Sequence, residues 1–527
     1  MFQKIWGWIK GLFGRRKGGS IEMAAQWDEK TASLAQDEWD KLKKILTEHR
    51  GLLSEVEKAQ EYRDGEFKIL KRKAKRKDDP NHRIVPNYAS FIIGMKTSYM
   101  LGIPVSYDVP KGILMKKQRN EGIPEAVYDQ YKEEFLEVTE ENDDHAVTME
   151  VLSDGLIAGA AVVLFHFDED WNVKYQAYTF NECIPIVEGR ELKQVIHTYK
   201  NEDGKECIEI YDSQAVTYLI NDGGQYKKDP SKKVNPAAHH LPVVPAAVFI
   251  NGKKAKPRFS RIAQGVSELG PDVRSMLDEY SRIVSDNANR MDVFCDPYLK
   301  FIGGLPDPKD IEDMRQKRAV GMKLKPGEQG SIEYLEYSQE SGGIEAHATR
   351  TLDDLFQTTN TPKIFKSEAV GNLSSVAIRQ LYTPLDNEAN EKEIWLNKFI
   401  RQKVIVITMM LNVRNAVAAG KDPAKIFSGD TQPDMPIYDW HWMYWDVKRN
   451  LPQNEKELAE TLLKYKGTVS NRTILKKVPY VEDVDEELAQ IRQEMIDQPR
   501  VPLNNIDGYL DNQDGQISNR SINDDEL

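Results

Sequence analysis

The stretch GVSELGPDVRSMLDEYSRIVSDNANRM, residues 265–291, decides how the chain is read. Val266, Leu269, Val273, Met276, Leu277, Tyr280, Ile283 and Val284 recur at spacings of three and four, one apolar stripe along a long helix. Pro271 suits a helix start, where its missing N–H costs nothing. Such a stripe needs a partner surface. Residues 344–358 supply one, with Ile344, Ala348, Leu352, Leu355 and Phe356 on one side. Between the two lie a strand in PYLKFIGG (297–304), a helix at about 307–318 and strands near 320–325 and 332–336. SGG at 341–343 is expected to break the chain. Two helices bracketing a small insertion predict an antiparallel pair capped at one end.

Working outward, the period upstream is two. AAVVLFHF (160–167) and runs at 171–180, 183–188, 192–199, 206–212 and 215–220 are separated by turn clusters such as NEDG. They predict an antiparallel meander ending near LPVVPAAVFIN, where prolines suit edge or loop positions. Before it, residues 86–101 read as a buried helix closed by Gly102 and Pro104, and 124–160 carry two helical segments. Residues 1–80 are charged and helical in pattern. They end in KRKAKRK (71–77), which reads as a solvated face or arm more readily than as an anion contact. Downstream, TNTPKIFKSEAVGNLSS (359–375) is a loop, and 376–411 form a long helix that Pro384 should kink or break. YDWHWMYWD (438–446) reads as a buried strand, 453–496 as three helices in a compact unit, and the polar tail from 499 as disordered. The fold class is α+β.

The 527 residues carry a net charge of −12. Tight sequence-independent DNA binders are basic, so any contact with DNA should be local or loose. Cys183, Cys207 and Cys295 are odd in number and far apart, which argues against a disulfide framework or a zinc site. Phosphate-loop, HExxH, CxxC and GxSxG patterns are absent. His239-His240 reads as a solvated loop, and the acidic pairs Asp143-Asp144 and Asp353-Asp354 as exposed helix faces. No catalytic residue, metal ligand or cofactor is assigned. A DNA-processing enzyme is therefore disfavoured. At the start, Phe2, Ile5, Trp6, Ile9, Leu12 and Phe13 line one helical face, the pattern of a membrane-surface helix. At roughly 18 Å it is too short for a hydrocarbon core of about 30 Å. A membrane-peripheral scaffold is the alternative reading that this segment keeps open; docking on a protein surface is preferred, and a membrane is not required.

Several separated motifs, in order, resemble the portal proteins of tailed bacteriophages, of the type found in long-tailed phages of Gram-positive hosts. They begin with Asn87-Tyr88 and SYMLGIPVSY, including Ser98, Tyr99, Gly102, Pro104 and Val105. LDEYSRIVSDNANRMDVFCDPYLKFIGG follows, with Asp278, Tyr280, Ser285, Asn287, Pro297 and Leu299. Next is TPKIFKSEAVGNLSSVAIRQLYTPL, where Ser374-Ser375 stands in place of the family's frequent Ser-Gly. Last is the Gly-x-[Ile/Val]-Ser-x-x-Thr pattern at Gly467, Val469, Ser470 and Thr473. The resemblance spans roughly residues 81–496.

The resemblance implies a portal fold. It has a charged helical arm (1–80), a wing of helices and antiparallel sheet (81–258), stem helices (259–292 and 339–358) around a small α/β clip (293–338), a tunnel loop (359–375), a return to the wing through the kinked helix and a strand (376–451), a helical crown (452–498) and a tail (499–527). It implies a homo-oligomer, a ring of twelve at one capsid vertex in the virion, assembled in the host cytoplasm. Double-stranded DNA is packaged through the ring by the terminase large subunit, which hydrolyses the ATP, and is later ejected. Head-completion or adaptor, major capsid and scaffold proteins are the other expected partners, and the first sixteen residues are expected to dock among these or on the ring itself. The role is structural, not enzymatic. In the tunnel loop, Thr361, Pro362, Lys363, Ile364, Phe365, Lys366 and Asn372 are expected to face DNA. Lys363 and Lys366 are the candidates for transient phosphate contact, and Ile364 and Phe365 are expected to pack on a neighbouring loop. In the clip, Arg315, Lys317 and Arg318 are candidates for a partner surface, set against an ordinary exposed helix face.

Overall fold

The structure, a computed structural model, describes residues 27–28, 33–34, 36–74, 79–110, 123–252, 261–295, 299–302, 329–334, 341–363, 375–427, 435–450, 455–478, 481 and 484–497. The chain divides into two units, Met1–Leu451 and Pro452–Leu527. Among the described residues no helix is long and apolar enough to cross a membrane. The opening segment 1–17 lies outside them.

The first unit begins with short strands β1 (Trp27–Asp28) and β2 (Ser33–Leu34) and helix α1 (Gln36–Arg63). Helix α2 (Tyr88–Leu101) starts where the Asn87 side chain accepts a hydrogen bond from the Ser90 N–H at 3.0 Å, satisfying one of the orphan donors of its first turn. Strand β3 (Ser106–Asp108) precedes helices α3 (Glu125–Glu141) and α4 (Asp144–Ala158). Gly159 ends α4 with φ +86°, and a Cβ there would lie 2.8 Å from the Gly265 carbonyl oxygen, so the position demands glycine twice over.

Strands β4 (Ala160–Phe167), β5 (Val173–Thr179), β6 (Cys183–Glu188), β7 (Glu191–Lys200), β8 (Glu206–Tyr211), β9 (Ala215–Asp222), β10 (Gln225–Lys228), β11 (Ala237–Ala238) and β12 (Ala246–Ile250) follow. The expected single meander is split. β6 to β10 form an antiparallel run extended by β2 and β1, whereas β4 and β5 join β12 in a separate three-stranded sheet. The division follows from burial on both faces of β4. Ala161, Val163 and Phe165 enter the helical core, while Val162 and Leu164 enter a second core shared with Cys183, Val195 and Tyr211 of the larger sheet. A strand buried on both faces must be central, and the return strand β12 covers its free edge.

Helix α5 (Pro271–Cys295) starts at the expected proline. The antiparallel strands β13 (Leu299–Ile302) and β14 (Ser331–Tyr334) follow, then helix α6 (Ser341–Thr358), which packs on α5. Ser341, Gly342 and Gly343 belong to this helix and do not break it. The expected helix at 307–318 and strand near 320–325 lie outside the described residues. Helix α7 (Ser375–Ala418) continues through Pro384, so the proline does not break it. Pro384 and Gln380, whose carbonyl loses its partner there, are both exposed, so water can take the missing bond. Leu396, Phe399, Ile400, Val404, Ile407 and Leu411 of α7 fill the main core.

The aromatic run 438–446 is not one strand. Trp440–Trp442 is a 3₁₀ turn, capped by the Asp439 carboxylate accepting from the His441 N–H at 3.0 Å, and only β15 (Tyr444–Asp446) is extended, pairing with β3. Nor is Asp144 on an exposed face. It is buried beneath α7 as the partner of Lys403. His239 is half-buried, its Nε2–H donating to the Asp212 carbonyl at 3.0 Å while Nδ1 accepts from the Leu241 N–H. Asp353 and Asp354 are exposed as expected.

The second unit contains helices α8 (Glu455–Lys464), α9 (Asn471–Leu475) and α10 (Val484–Asp497). Gly467 has φ +91° in the turn between α8 and α9, and the Ser470 hydroxyl caps α9 by accepting from the Thr473 N–H at 3.3 Å.

Candidate functional site

The loop between α6 and α7 leaves its first helix through a defined cap. Asn360 adopts φ +50°, the Thr361 N–H donates to the Phe356 carbonyl at 2.9 Å, and the Asn360 N–H donates to the Gln357 carbonyl at 3.2 Å. This pairing satisfies the last carbonyls of α6, with asparagine in the left-handed position that glycine or asparagine tolerates. Two threonine hydroxyls secure it: Thr359 donates to the Leu355 carbonyl at 2.8 Å, and Thr361 to the Thr359 carbonyl at 3.2 Å. Lys363 is exposed and is paired with Asp353, one helical turn and more back on α6. The start of the loop and the first half of α7 line a cleft of about 670 Å³ formed by Asn360, Gln380, Thr383, Pro384, Asn387, Glu388 and Glu391.

Beneath the cleft lies a cluster of four charges. Lys96 of α2 pairs with Glu268, just ahead of α5, and with Glu388 of α7 at 2.7 Å. Lys392, one turn beyond Glu388, bridges to Glu268 at 2.5 Å and to Glu388 at 3.1 Å. The Asn251 amide donates to Glu268 at 2.8 Å. Burial pushes the Glu268 carboxyl up, but Lys96 and Lys392 more than reverse this and hold it well below the ordinary carboxylate range. The cluster fixes α2, the approach to α5 and the body of α7 as one joint. A second tie lies nearby, where Arg449 grips Asp386 and Glu393 and the Tyr99 hydroxyl donates to Asp386 at 2.9 Å.

The outer side of α5 is strapped by the preceding chain. Lys68 and the Tyr62 hydroxyl reach Asp278 at 2.7 Å, Arg72 reaches Asp286 at 2.5 Å, and the His82 ring reaches Asp292 at 2.5 Å. The Ile84 N–H donates to the Ser285 hydroxyl at 2.9 Å. Across the helix pair, Glu279 is held down to about 2 by Arg282 and His347, against the opposing effect of burial. Two helices joined through a small strand pair lead into a capped loop start and a long helix tied to the body by ion pairs, with basic side chains paired to acidic neighbours.

The sequence profile of the family described as "Phage portal protein, SPP1 Gp6-like" matches residues 42–499. The chain belongs to this phage portal protein family. A protein named Portal protein from Bacillus phage SPP1 is 22% identical over 431 residues, covering 79% of this chain and 76% of that one. A protein of the same name from Clostridium phage phiCD119 is 22% identical over 491 residues, covering 85% and 94%. Among solved structures, a chain of the "Neck of native GTA particle computed with C12 symmetry" is similar at 10% identity and a TM-score of 0.38, covering 74% of this chain and 89% of that one. The family match over residues 42–499 bears out the portal resemblance drawn from the motifs.

Within this portal chain, Thr361 and Pro362 are buried at the end of α6, where they anchor the loop, and Lys363 is its first exposed residue. Ile364, Phe365, Lys366 and Asn372 lie outside the described residues, as do Arg315, Lys317 and Arg318. The structure adds residues that periodicity did not single out: Asn360, and the joint formed by Lys96, Glu268, Glu388 and Lys392. Lys96 carried a signal, being the one charge in the apolar run FIIGMKTSYML. A lysine placed there must find carboxylates or lose its charge.

Proposed function

We propose that this portal chain assembles as a ring of twelve at one capsid vertex, forming the channel through which double-stranded DNA is packaged and later ejected. The terminase large subunit drives packaging; head-completion, major capsid and scaffold proteins dock on the ring. The protein works in the host cytoplasm during assembly and then in the virion, as a structural component without catalysis of its own. Residues 81–258 and 376–451 serve as wing, 259–292 and 339–358 as stem, 293–338 as clip and 452–498 as crown. Residues 359–375 line the bore.

The observation that carries this reading is the loop base. A cap of two threonines and a left-handed asparagine fixes where the loop leaves α6, and the joint fixes the body of α7. A loop so mounted can be narrow and still hold its place as DNA slides. The net charge of −12 suits a conduit, because a basic bore would grip phosphates through counterion release. Lys363, balanced by Asp353, is suited to brief phosphate contact.

Solution mass and negative-stain projections of the purified full-length chain test the assembly. Near-twelve-fold rings with an open centre are expected. A chain that remains monomeric at every concentration and salt, with or without scaffold protein, would overturn the reading. Lys363→Glu should leave rings intact and slow DNA translocation in a packaging assay; an unchanged rate would remove the loop from the DNA path.

A further inference from the structure

Asn251 directly follows β12 and is 2% exposed. Hydrogen bonds fix its carboxamide. Nδ2 donates to the Val266 carbonyl at 2.7 Å and to Glu268 Oε1 at 2.8 Å, and Oδ1 accepts from Lys392 Nζ at 2.9 Å. A carbonyl only accepts, so the Val266 contact settles which end of the amide faces the lysine. Lys392 Nζ also lies 2.5 Å from the same Glu268 oxygen. A primary amine, a carboxamide and a carboxyl are thus in mutual contact. The side chains of Lys392 and Glu268 are only 11% and 12% exposed. An amine held against an amide carbonyl, with a carboxyl touching both nitrogens and little water nearby, is arranged for transamidation.

We propose that Lys392 and Asn251 become joined by an amide bond between their side chains, with Glu268 carrying the protons. At rest, burial lowers the Lys392 ammonium, but Glu268 and Glu388 more than reverse this and keep it charged. The reactive form is therefore a minor one, and the bond forms slowly after folding. It begins when a proton crosses from Lys392 Nζ to Glu268 Oε1, which turns two buried charges into two neutral groups. The neutral amine attacks Asn251 Cγ: the Nζ–Cγ bond forms and the carbonyl electron pair moves to Oδ1. Glu268 gives its proton to Nδ2 and takes one from Nζ, and the carbonyl re-forms as the Cγ–Nδ2 bond breaks. The ammonia released takes the last proton as ammonium, and Glu268 is again a carboxylate, paired with Lys96. The step consumes no oxidant. Attack on Asn251 by the next backbone nitrogen is held back, because the Gly252 N–H donates to the Ile250 carbonyl at 3.0 Å. The two joined residues are 141 apart in sequence, and α5, β13, β14, α6 and the loop after it all lie between them. The helix pair and its loop are then tied at their roots by a covalent link, which restricts the unfolded chain as other cross-links do.

Mass spectrometry of the purified full-length chain, aged after synthesis and then denatured, tests this. The intact chain should be lighter than its sequence requires by one ammonia. A protease digest should yield a branched peptide in which Lys392 is joined to Asn251. A chain of full mass, with the two residues in separate peptides, would overturn the proposal. So would loss of ammonia with Lys392 in an unbranched peptide, since that places the loss in ring closure of Asn251 onto Gly252. Lys392→Arg keeps the charge but cannot form the link, and it should restore the full mass. Glu268→Gln, with folding checked by circular dichroism, should do the same; a folded Glu268→Gln chain that still yields the branched peptide would overturn the role given to Glu268. If that variant does not fold, Glu268→Asp keeps the charge and shortens the reach. Its branched fraction should then rise roughly tenfold more slowly with time after synthesis, and an equal rate would overturn the role.

Discussion

Lys403 Nζ lies 2.7 Å from Asp144 Oδ1, joining the middle of α7 to the first turn of α4 with both side chains buried. The pair is fully furnished. The hydroxyls of Tyr175 and Tyr107 donate to Asp144 at 2.7 and 3.2 Å, and Lys403 also donates to the Thr148 hydroxyl at 2.9 Å. Burial lowers the Lys403 ammonium below its ordinary range, and Asp144 recovers only part of the loss. Breaking one side of such a pair strands a charge in the core. Lys403→Met alone should therefore destabilise the first unit by about 3–5 kcal/mol. Lys403→Met with Asp144→Leu should cost distinctly less. Denaturant unfolding of the two variants decides this; equal losses would mean the pair does not act as a unit.

The joint under the loop has a pH signature. Glu268 has a folded-state pKa depressed below its unfolded value, so it stabilises the protein above the unfolded value and loses this as the solution acidifies toward the folded one. Glu268→Gln should remove that contribution and leave Lys96 and Lys392 sharing Glu388. The expected result is a lower melting temperature at pH 7 and a smaller gap from the parent protein as the pH drops below about 4. A gap that stays constant across this range would show that Glu268 acts through packing alone.

Asp154 of α4 behaves in the opposite sense. Burial, then the carboxylates of Glu150 and Glu182, push it up to about 6. With the folded pKa above the unfolded one, ionising Asp154 costs stability as the pH rises from about 4 to 6, and the full cost is present at neutrality. Asp154→Asn should stabilise the protein by about 1–3 kcal/mol at pH 8 and by little at pH 4. Melting curves at the two pH values would show the difference.

The left-handed residue that ends α6 allows a plain test of the loop base. Asn360→Gly should be tolerated within a few tenths of a kcal/mol, whereas Asn360→Val should cost about 1–2 kcal/mol because a branched Cβ collides with its own backbone at φ +50°. Proteolysis at the loop should accelerate in the valine variant and not in the glycine one. Equal susceptibility would mean that the cap does not hold the loop's start.

Much of this protein could be read from residue order. Apolar spacing marked α5, α6 and most of the strands, because burying one face imposes a period of 3.6 or 2 on the chain itself. Pro271 marked a helix start for an equally local reason. The motifs between Asn87 and Thr473 carried the portal family. What spacing could not show was which surface would cover each face. The apolar run of β4 predicts a strand but not which surfaces cover its two faces, so the split into two sheets came from its neighbours α4 and β12. Pro384 predicts a kink or a break, yet α7 continues through it, with Gln380 and Pro384 both exposed and the next turns tied into the joint. Asp144 sits in a charge-rich run that predicts exposure; its partner Lys403 lies 259 residues away, and only folding brings them together. Local periodicity and capping thus determined which segments would be helix, strand or loop, since these depend on near neighbours along the chain. The tertiary structure decided which charges are buried and how the loop is anchored, since these depend on pairings across hundreds of residues that no local pattern records.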